Sequence, residues 1–268
     1  MQAKYKPEVS IASRDNPRVR AWRKLQTDAR ARRSERRTLL EGIHLVRTYL
    51  DRVGAPRELI VTPESRANAE IAAIIERAAR SPVVVSNPVF AAIADTGSPV
   101  GLAAEIDLPA EHSDLSASVH CVLVEGVQDA GNLGALLRSA AAFGVDSFLV
   151  GPGSADPWSP KVLRSAMGGH FFLRIAHTKD LARGISQFTG LKLCTVPRGG
   201  EALARLDLTG PVAWIFGSEG GGVSAPLAAR ADALARIEMT GGTESLNVAA
   251  AAAICFYERA RQLRGSGR

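Results

Sequence analysis

Between residues 120 and 263, five short, largely apolar runs alternate with stretches of helical periodicity. The runs are 120–125, 146–150, 191–196, 212–216 and 233–239; residues 133–143, 161–167 and 246–263 read as helices. Strands of this kind are buried on both faces and pack as a parallel sheet covered by helices. In such sheets, ligands bind at the loops that leave the carboxyl ends of the strands. That rule directs attention to three loops.

The first loop, Glu125-Gly126-Val127-Gln128-Asp129-Ala130-Gly131-Asn132, opens a helix that carries Gly134 and Arg138. These two are four residues apart and share a helix face, so the glycine leaves space before a guanidinium suited to phosphate. A surface arginine on an amphipathic helix is the plain alternative. The spacing of Gly126, Gly131 and Gly134 fails the Gly-x-Gly-x-x-Gly dinucleotide fingerprint. The second loop, Gly217-Ser218-Glu219-Gly220-Gly221-Gly222, has more glycine than a simple turn needs, and it surrounds one carboxylate. The third, Thr240-Gly241-Gly242-Thr243-Glu244-Ser245-Leu246-Asn247, leads into the closing helix. Ser245 is the expected cap of that helix, with Asn247 inside its first turn.

A smaller α/β arrangement precedes this one. Asn16-Pro17 starts a basic helix running to about Arg37, and Leu39, Leu40, Ile43, Leu45, Val46 and Leu50 continue at helical spacing. Residues 57–62, 83–86 and 99–106 read as strands, and 64–80 and 88–94 as helices. Polar residues 109–118 lack periodicity and mark a boundary. The expected division is a domain over 1–108, a linker over 109–119 and a second domain over 120–268.

Charge is uneven across these parts. Residues 1–37 hold twelve Lys/Arg and four Asp/Glu, a net of +8 in a chain whose formal charge is +6, so the remainder carries −2. A positive end of this kind points to a polyanionic partner such as nucleic acid. Cys121, Cys194 and Cys255 are odd in number and widely spaced, which excludes a disulfide framework and a cysteine zinc site. No other metal-ligand cluster is evident, and no metal is expected. Residues 1–40 lack the apolar core of a secretion signal, and the longest apolar run, 248–256, is too short to span a bilayer. A cytoplasmic protein with no membrane association is expected.

The three loops together resemble the three signature motifs of SpoU-type RNA methyltransferases of the SPOUT superfamily. Asn132-x-Gly134-x-x-x-Arg138 looks like the first motif, preceded by Asp129 and followed by Ala142-Phe143-Gly144. Phe216-Gly217-x-Glu219-x-x-Gly222-Val223-Ser224 looks like the second, and Ile237-x-Met239-x-Gly241-x-x-x-Ser245-Leu246-Asn247-Val248 like the third. Ser159-Pro160-Lys161-Val162-x-Arg164-x-x-Met167-Gly168 matches a segment between the first two. Order and spacing fit over about residues 120–258. Glu238 stands where the family usually has proline. Asn16-Pro17 with the basic helix, and Leu40-Glu41-Gly42, are similar to a substrate-binding domain often joined to this catalytic domain.

The resemblance implies S-adenosylmethionine-dependent methylation of a ribose 2′-hydroxyl in RNA, with ribosomal RNA, large-subunit 23S in particular, favoured over tRNA. A non-catalytic RNA-binding protein is the distant alternative. It implies a homodimer and a C-terminal trefoil knot, a rare exception to the usual topology rules. The backbone around Gly217, Ile237 and Leu246 is expected to hold the cofactor, with Thr195 and Val196 lining the same pocket. Arg138 is expected to act on the 2′-hydroxyl, with Asn132, Glu219, Ser245 and Asn247 orienting the groups around it. Arginine is a poor base, with a pKa above ~12, so orienting a phosphate and stabilising a developing alkoxide suit it better. Arg32, Arg33, Arg36 and Arg37 are the expected RNA contacts.

Overall fold

A computed structural model describes residues 9–265. The chain divides into two compact units: one holds the chain up to Pro109 together with Trp158–Phe171, the other Ala110–Pro157 and the chain from Phe172 onward.

In the first unit, the elements before Pro109 are β1 (Val9–Ile11), α1 (Pro17–Thr27), α2 (Ala29–Glu35), β2 (Arg37–Glu41), α3 (Ile43–Arg52), β3 (Glu58–Val61), α4 (Ala69–Ala78), β4 (Val83–Val85), α5 (Asn87–Ile93) and β5 (Leu102–Asp107). The strands form one mixed sheet in the order β1-β4-β3-β5-β2, with β5 antiparallel to both neighbours. Val19, Trp22 and Leu25 of α1 are buried in a core with Leu39, Ile60, Val85 and Phe90. Trp22 Nε1 donates to Glu105 Oε2 at 2.8 Å, so even the buried ring nitrogen has an acceptor.

Three sequence expectations fail here. The basic stretch is two helices rather than one: Asp28 ends α1 and caps α2, its carboxylate accepting from Arg30 N at 2.7 Å. Residues 37–41 are a strand, not a continuing helix. Arg36 adopts the left-handed conformation (φ 51°) and turns the chain, and β2 then pairs with β5 from Arg37↔Asp107 to Glu41↔Ala103. The expected helix over 64–80 is likewise a short 3-10 turn, Glu64–Ala67, followed by α4, which Asn68 caps.

In the second unit, β6 (His120–Val124), α6 (Ala130–Ala142) and β7 (Ser147–Val150) precede the excursion to the first unit. That excursion contains α7 (Pro160–Ala166), and it is tied in where Thr38 Oγ1 donates to the Trp158 carbonyl at 3.0 Å and Tyr49 packs edge-on to Phe171 at 5.3 Å. The chain returns through β8 (Arg174–His177), α8 (Leu181–Ser186), β9 (Leu191–Thr195), β10 (Glu201–Ala202), β11 (Val212–Phe216), α9 (Ala225–Ala228), β12 (Ala233–Arg236) and α10 (Val248–Gly265).

The seven strands form a wholly parallel sheet, ordered β10-β12-β9-β11-β6-β7-β8, as the apolar runs imply. Sequence periodicity missed β8, β10, α8 and α9. Between the neighbouring strands β11 and β6, Trp214 Nε1 donates to His120 Nε2 at 3.1 Å, and burial pushes the His120 pKa down to about 3. All three cysteines are free and buried, and burial pushes Cys255 up to about 12. Among the described residues, no helix is long and apolar enough to cross a membrane.

Candidate active site

At the carboxyl end of β6, Asp129 caps α6. Its Oδ1 accepts from Asn132 N at 2.8 Å, which fixes Asn132 in the first turn. The Asn132 amide then donates to Glu219 Oε1 at 2.7 Å. Asn247 completes a ring: its Nδ2 donates to Asn132 Oδ1 at 2.9 Å and to Glu219 Oε1 at 2.8 Å. One side chain from each of the three loops is thereby locked to the other two, so each amide is oriented by its partners. Asn247 also caps α10, its Oδ1 accepting from Ala249 N at 3.0 Å and Ala250 N at 3.3 Å. That corrects the sequence expectation: α10 begins at Val248, and Ser245 lies exposed in the loop before the cap.

The loop carrying Glu219 is a tight fold rather than a slack turn. Ser218 and Gly222 exchange backbone hydrogen bonds of 3.0 and 2.9 Å, and Gly221 N donates to Ser218 Oγ at 2.9 Å. A Cβ on Gly217 would lie 2.1 Å from the Gly222 carbonyl carbon, so glycine is required there by the loop's own backbone. At the far end, Ser224 donates from both its backbone N (2.7 Å) and its Oγ (3.0 Å) to the Glu125 carboxylate. Sequence reasoning did not single out Glu125. The available signal was a carboxylate ending an apolar strand, where only a specific partner would keep it.

A cleft opens beside the ring. Thr195, Val196, Gly217, Ile237 and Leu246 all line it, with Phe216, Ala235, Met239 and Val248. Thr195 Oγ1 is spent on the Ile215 carbonyl at 3.1 Å, leaving the walls mostly aliphatic. Such walls suit a flat heteroaromatic ring, and the loop backbones supply polar edges, so the residues present fit an adenosine-bearing cofactor. A second cavity, lined by Gln128, Asp129 and Asn132, shares Ser218, Glu219 and Val248 with the first. The ring therefore stands between two openings. Among the described residues, no three His, Cys, Asp or Glu side chains are grouped as metal ligands.

A family model described as the SpoU rRNA Methylase family matches residues 120–257, and a model of an MRM3-like substrate binding domain matches residues 16–104. This chain belongs to the SpoU rRNA methylase family. Among its relatives, the 23S rRNA (guanosine(2553)-2'-O)-methyltransferase RlmP of Bacillus subtilis (strain 168) is 34% identical over 250 residues, covering 92% of this chain and 97% of that protein. An AdoMet-bound rRNA methyltransferase from Sinorhizobium meliloti superposes with a TM-score of 0.80 at 27% identity, over 95% of this chain and 98% of the other. A crystal structure of an RNA 2'-O ribose methyltransferase gives 0.77 at 31% identity, over 95% and 99%.

In this SpoU chain, Arg138 does not join the ring. It lies six residues beyond Asn132 on α6, about 9 Å along the axis and on another face. Arg138 is exposed and bonds to no described residue. The four arginines expected to meet RNA also separate. Arg32 is only 4% exposed, and its guanidinium donates to the Leu25 carbonyl at 2.6 Å and the Gln26 carbonyl at 3.2 Å. Arg36 donates to the Leu108 and Pro109 carbonyls, and Arg37 pairs with Glu105 at 3.3 Å. Only Arg33 faces solvent without a partner among the described residues, as do Arg20, Arg23 and Lys24. Lys4 and Lys6 of the basic stretch lie outside the described residues.

Proposed function

We propose that this protein transfers a methyl group from S-adenosylmethionine to a ribose 2′-hydroxyl of ribosomal RNA, within the large-subunit 23S molecule. The observation that carries this reading is the Asn132–Glu219–Asn247 ring between the aliphatic cleft and the second, polar cavity. The similarity, over nearly the whole chain, to a 23S rRNA methyltransferase and to a second rRNA methyltransferase supports the ribosomal substrate.

Bound in the cleft, the cofactor supplies an electrophilic methyl on a sulfonium. The protein's task is to hold a weak nucleophile in line with it and ease loss of the hydroxyl proton. The ring fixes the loops that form both openings, so ribose and cofactor are held against one rigid wall. Arg138 holds an RNA phosphate and lowers the cost of the developing alkoxide, since a guanidinium does not serve as a base near neutral pH.

Arg138 reaches the ring across a homodimer. Its exposed position on α6, and the exposure of Ile254 and Tyr257 on α10, which packs against α6, support this arrangement. The segment between β12 and α10 threads a loop as a trefoil knot; the packing of α10 against α6, which follows β6 elsewhere in the sheet, supports that reading. The protein acts in the cytoplasm, on RNA met by its exposed basic face.

The test incubates the protein with methyl-labelled S-adenosylmethionine and unmodified RNA, both as naked total RNA and as assembled ribosomal particles. Alkali-resistant label at one linkage of large rRNA is expected. Label confined to tRNA would overturn the substrate, and no label in any fraction would overturn the enzymatic reading.

A further inference from the structure

A third cavity in the second unit opens beside the cofactor cleft. Pro197, Ile237 and Met239 line both spaces, so they are continuous. The two differ in chemistry. Where the cleft is mostly aliphatic, its neighbour holds Arg198 and Arg236, with Gly199, Gly200 and Glu244. Neither guanidinium has a hydrogen bond or ion pair with any described residue, and the Glu244 carboxylate is not within ion-pair distance of them. Arg236 is only partly exposed.

The backbone that presents the pair is fixed. Arg236 ends β12, held by the parallel register Ala202↔Arg236 with β10. Arg198 precedes two consecutive left-handed glycines, Gly199 (φ 73°) and Gly200 (φ 67°). A Cβ on Gly200 would meet the Leu234 carbonyl oxygen at 2.5 Å, so the turn lies flat on β12 and cannot swing away with a larger residue. Two fork-shaped cations directed into one cavity, with no carboxylate paired to them, match the geometry of an oxyanion.

We propose that Arg198 and Arg236 form an oxyanion subsite continuous with the cofactor cleft. The reaction offers two oxyanions that could enter: the carboxylate on the amino-acid tail of S-adenosylmethionine, and a phosphate of the RNA strand. The aliphatic cleft suits the adenine ring but not a carboxylate, which needs donors nearby. This inference rests on the proposed function.

Binding of S-adenosylhomocysteine and of 5′-methylthioadenosine, which lacks the amino-acid tail, is measured by calorimetry for wild type, Arg198→Ala, Arg236→Ala and Arg236→Lys. RNA affinity is measured against salt for the same proteins. For a carboxylate ligand, the alanine variants weaken S-adenosylhomocysteine about tenfold or more, leave methylthioadenosine unchanged, and Arg236→Lys recovers part of the loss. For a phosphate, both nucleosides bind as in wild type, while RNA affinity falls and the salt slope drops by about one per arginine removed. Unchanged binding of all three ligands overturns the proposal. So does equal weakening of both nucleosides in the alanine and lysine variants, which would mark Arg236 as a support of the fold. If wild type itself binds neither nucleoside, the proposed function has failed instead.

Discussion

At the residue scale, Asn247 does two jobs that substitution can separate. Its Oδ1 caps α10, and its Nδ2 joins Glu219 to Asn132. Asn247→Ala removes both and is expected to lower stability by about 1 kcal/mol, read in a denaturant melt, and to reduce methyl transfer. Asn247→Ser keeps a capping oxygen but cannot donate to both Asn132 and Glu219, so stability is largely retained while turnover still falls. Equal stability losses in the two variants would remove the capping role. Arg138→Ala is expected to bind S-adenosylmethionine as wild type does and to lose methyl transfer by about 10²–10³-fold; wild-type turnover would take Arg138 out of the chemistry. Asn247 was singled out in the sequence by its loop position and residue type, whereas Arg138 was named by the family motif. What the sequence concealed was burial. Nothing in a row of arginines separates Arg32, folded onto the Leu25 carbonyl, from Arg33, which meets only solvent. Ser245 and Asn247 are both good caps, and only the backbone geometry decides between them.

At the element scale, the Glu125–Ser224 contact determines what the glycine-rich loop can do. The two hydrogen bonds anchor the far end of a loop whose near end is fixed by the Gly217–Gly222 approach. Glu125→Ala leaves the Ser224 N–H without its acceptor and frees that end. The expected result is a dissociation constant for S-adenosylmethionine about tenfold weaker, measured by calorimetry, with a smaller change in Ser224→Ala, which retains the backbone bond. Cofactor affinity unchanged in Glu125→Ala would show that the loop needs no such anchor. The strands that sequence missed share one cause: long-range pairing decides them. Leu39 and Leu40 fall at helical spacing with Ile43 and Val46, yet β2 exists because β5, some sixty residues on, offers it an antiparallel edge. Strand β8 is four residues long at the sheet's edge with two buried side chains, too brief a pattern to register. Some of the strands that sequence did find, such as β6 and β11, are buried along their whole length.

At the scale of the whole molecule, a parallel sheet was readable from apolar runs, because burial on both faces leaves that mark. The strand order was not readable, nor was the departure of residues 158–171 to the first unit, since neither alters local periodicity. Charge follows the same division. Sequence located the positive excess at the N-terminal end, but the structure leaves only part of it available. Arg20, Arg23, Lys24 and Arg33 remain exposed and unpartnered among the described residues, while Arg32, Arg36 and Arg37 are committed within the first unit. An RNA-binding surface built from α1 and α2 therefore depends on the first set. Arg20→Gln, Arg23→Gln and Lys24→Gln combined are expected to weaken RNA binding and to flatten its dependence on log salt by up to about three, near one for each phosphate no longer neutralised. S-adenosylmethionine binding, which we assign to the cleft of the second unit, is expected to stay at the wild-type value in the same protein. Arg36→Gln is expected to leave the salt slope unchanged, because its guanidinium already donates to the Leu108 and Pro109 carbonyls. The reverse pattern, a flattened slope in Arg36→Gln and none in the triple variant, would move the RNA path off α1.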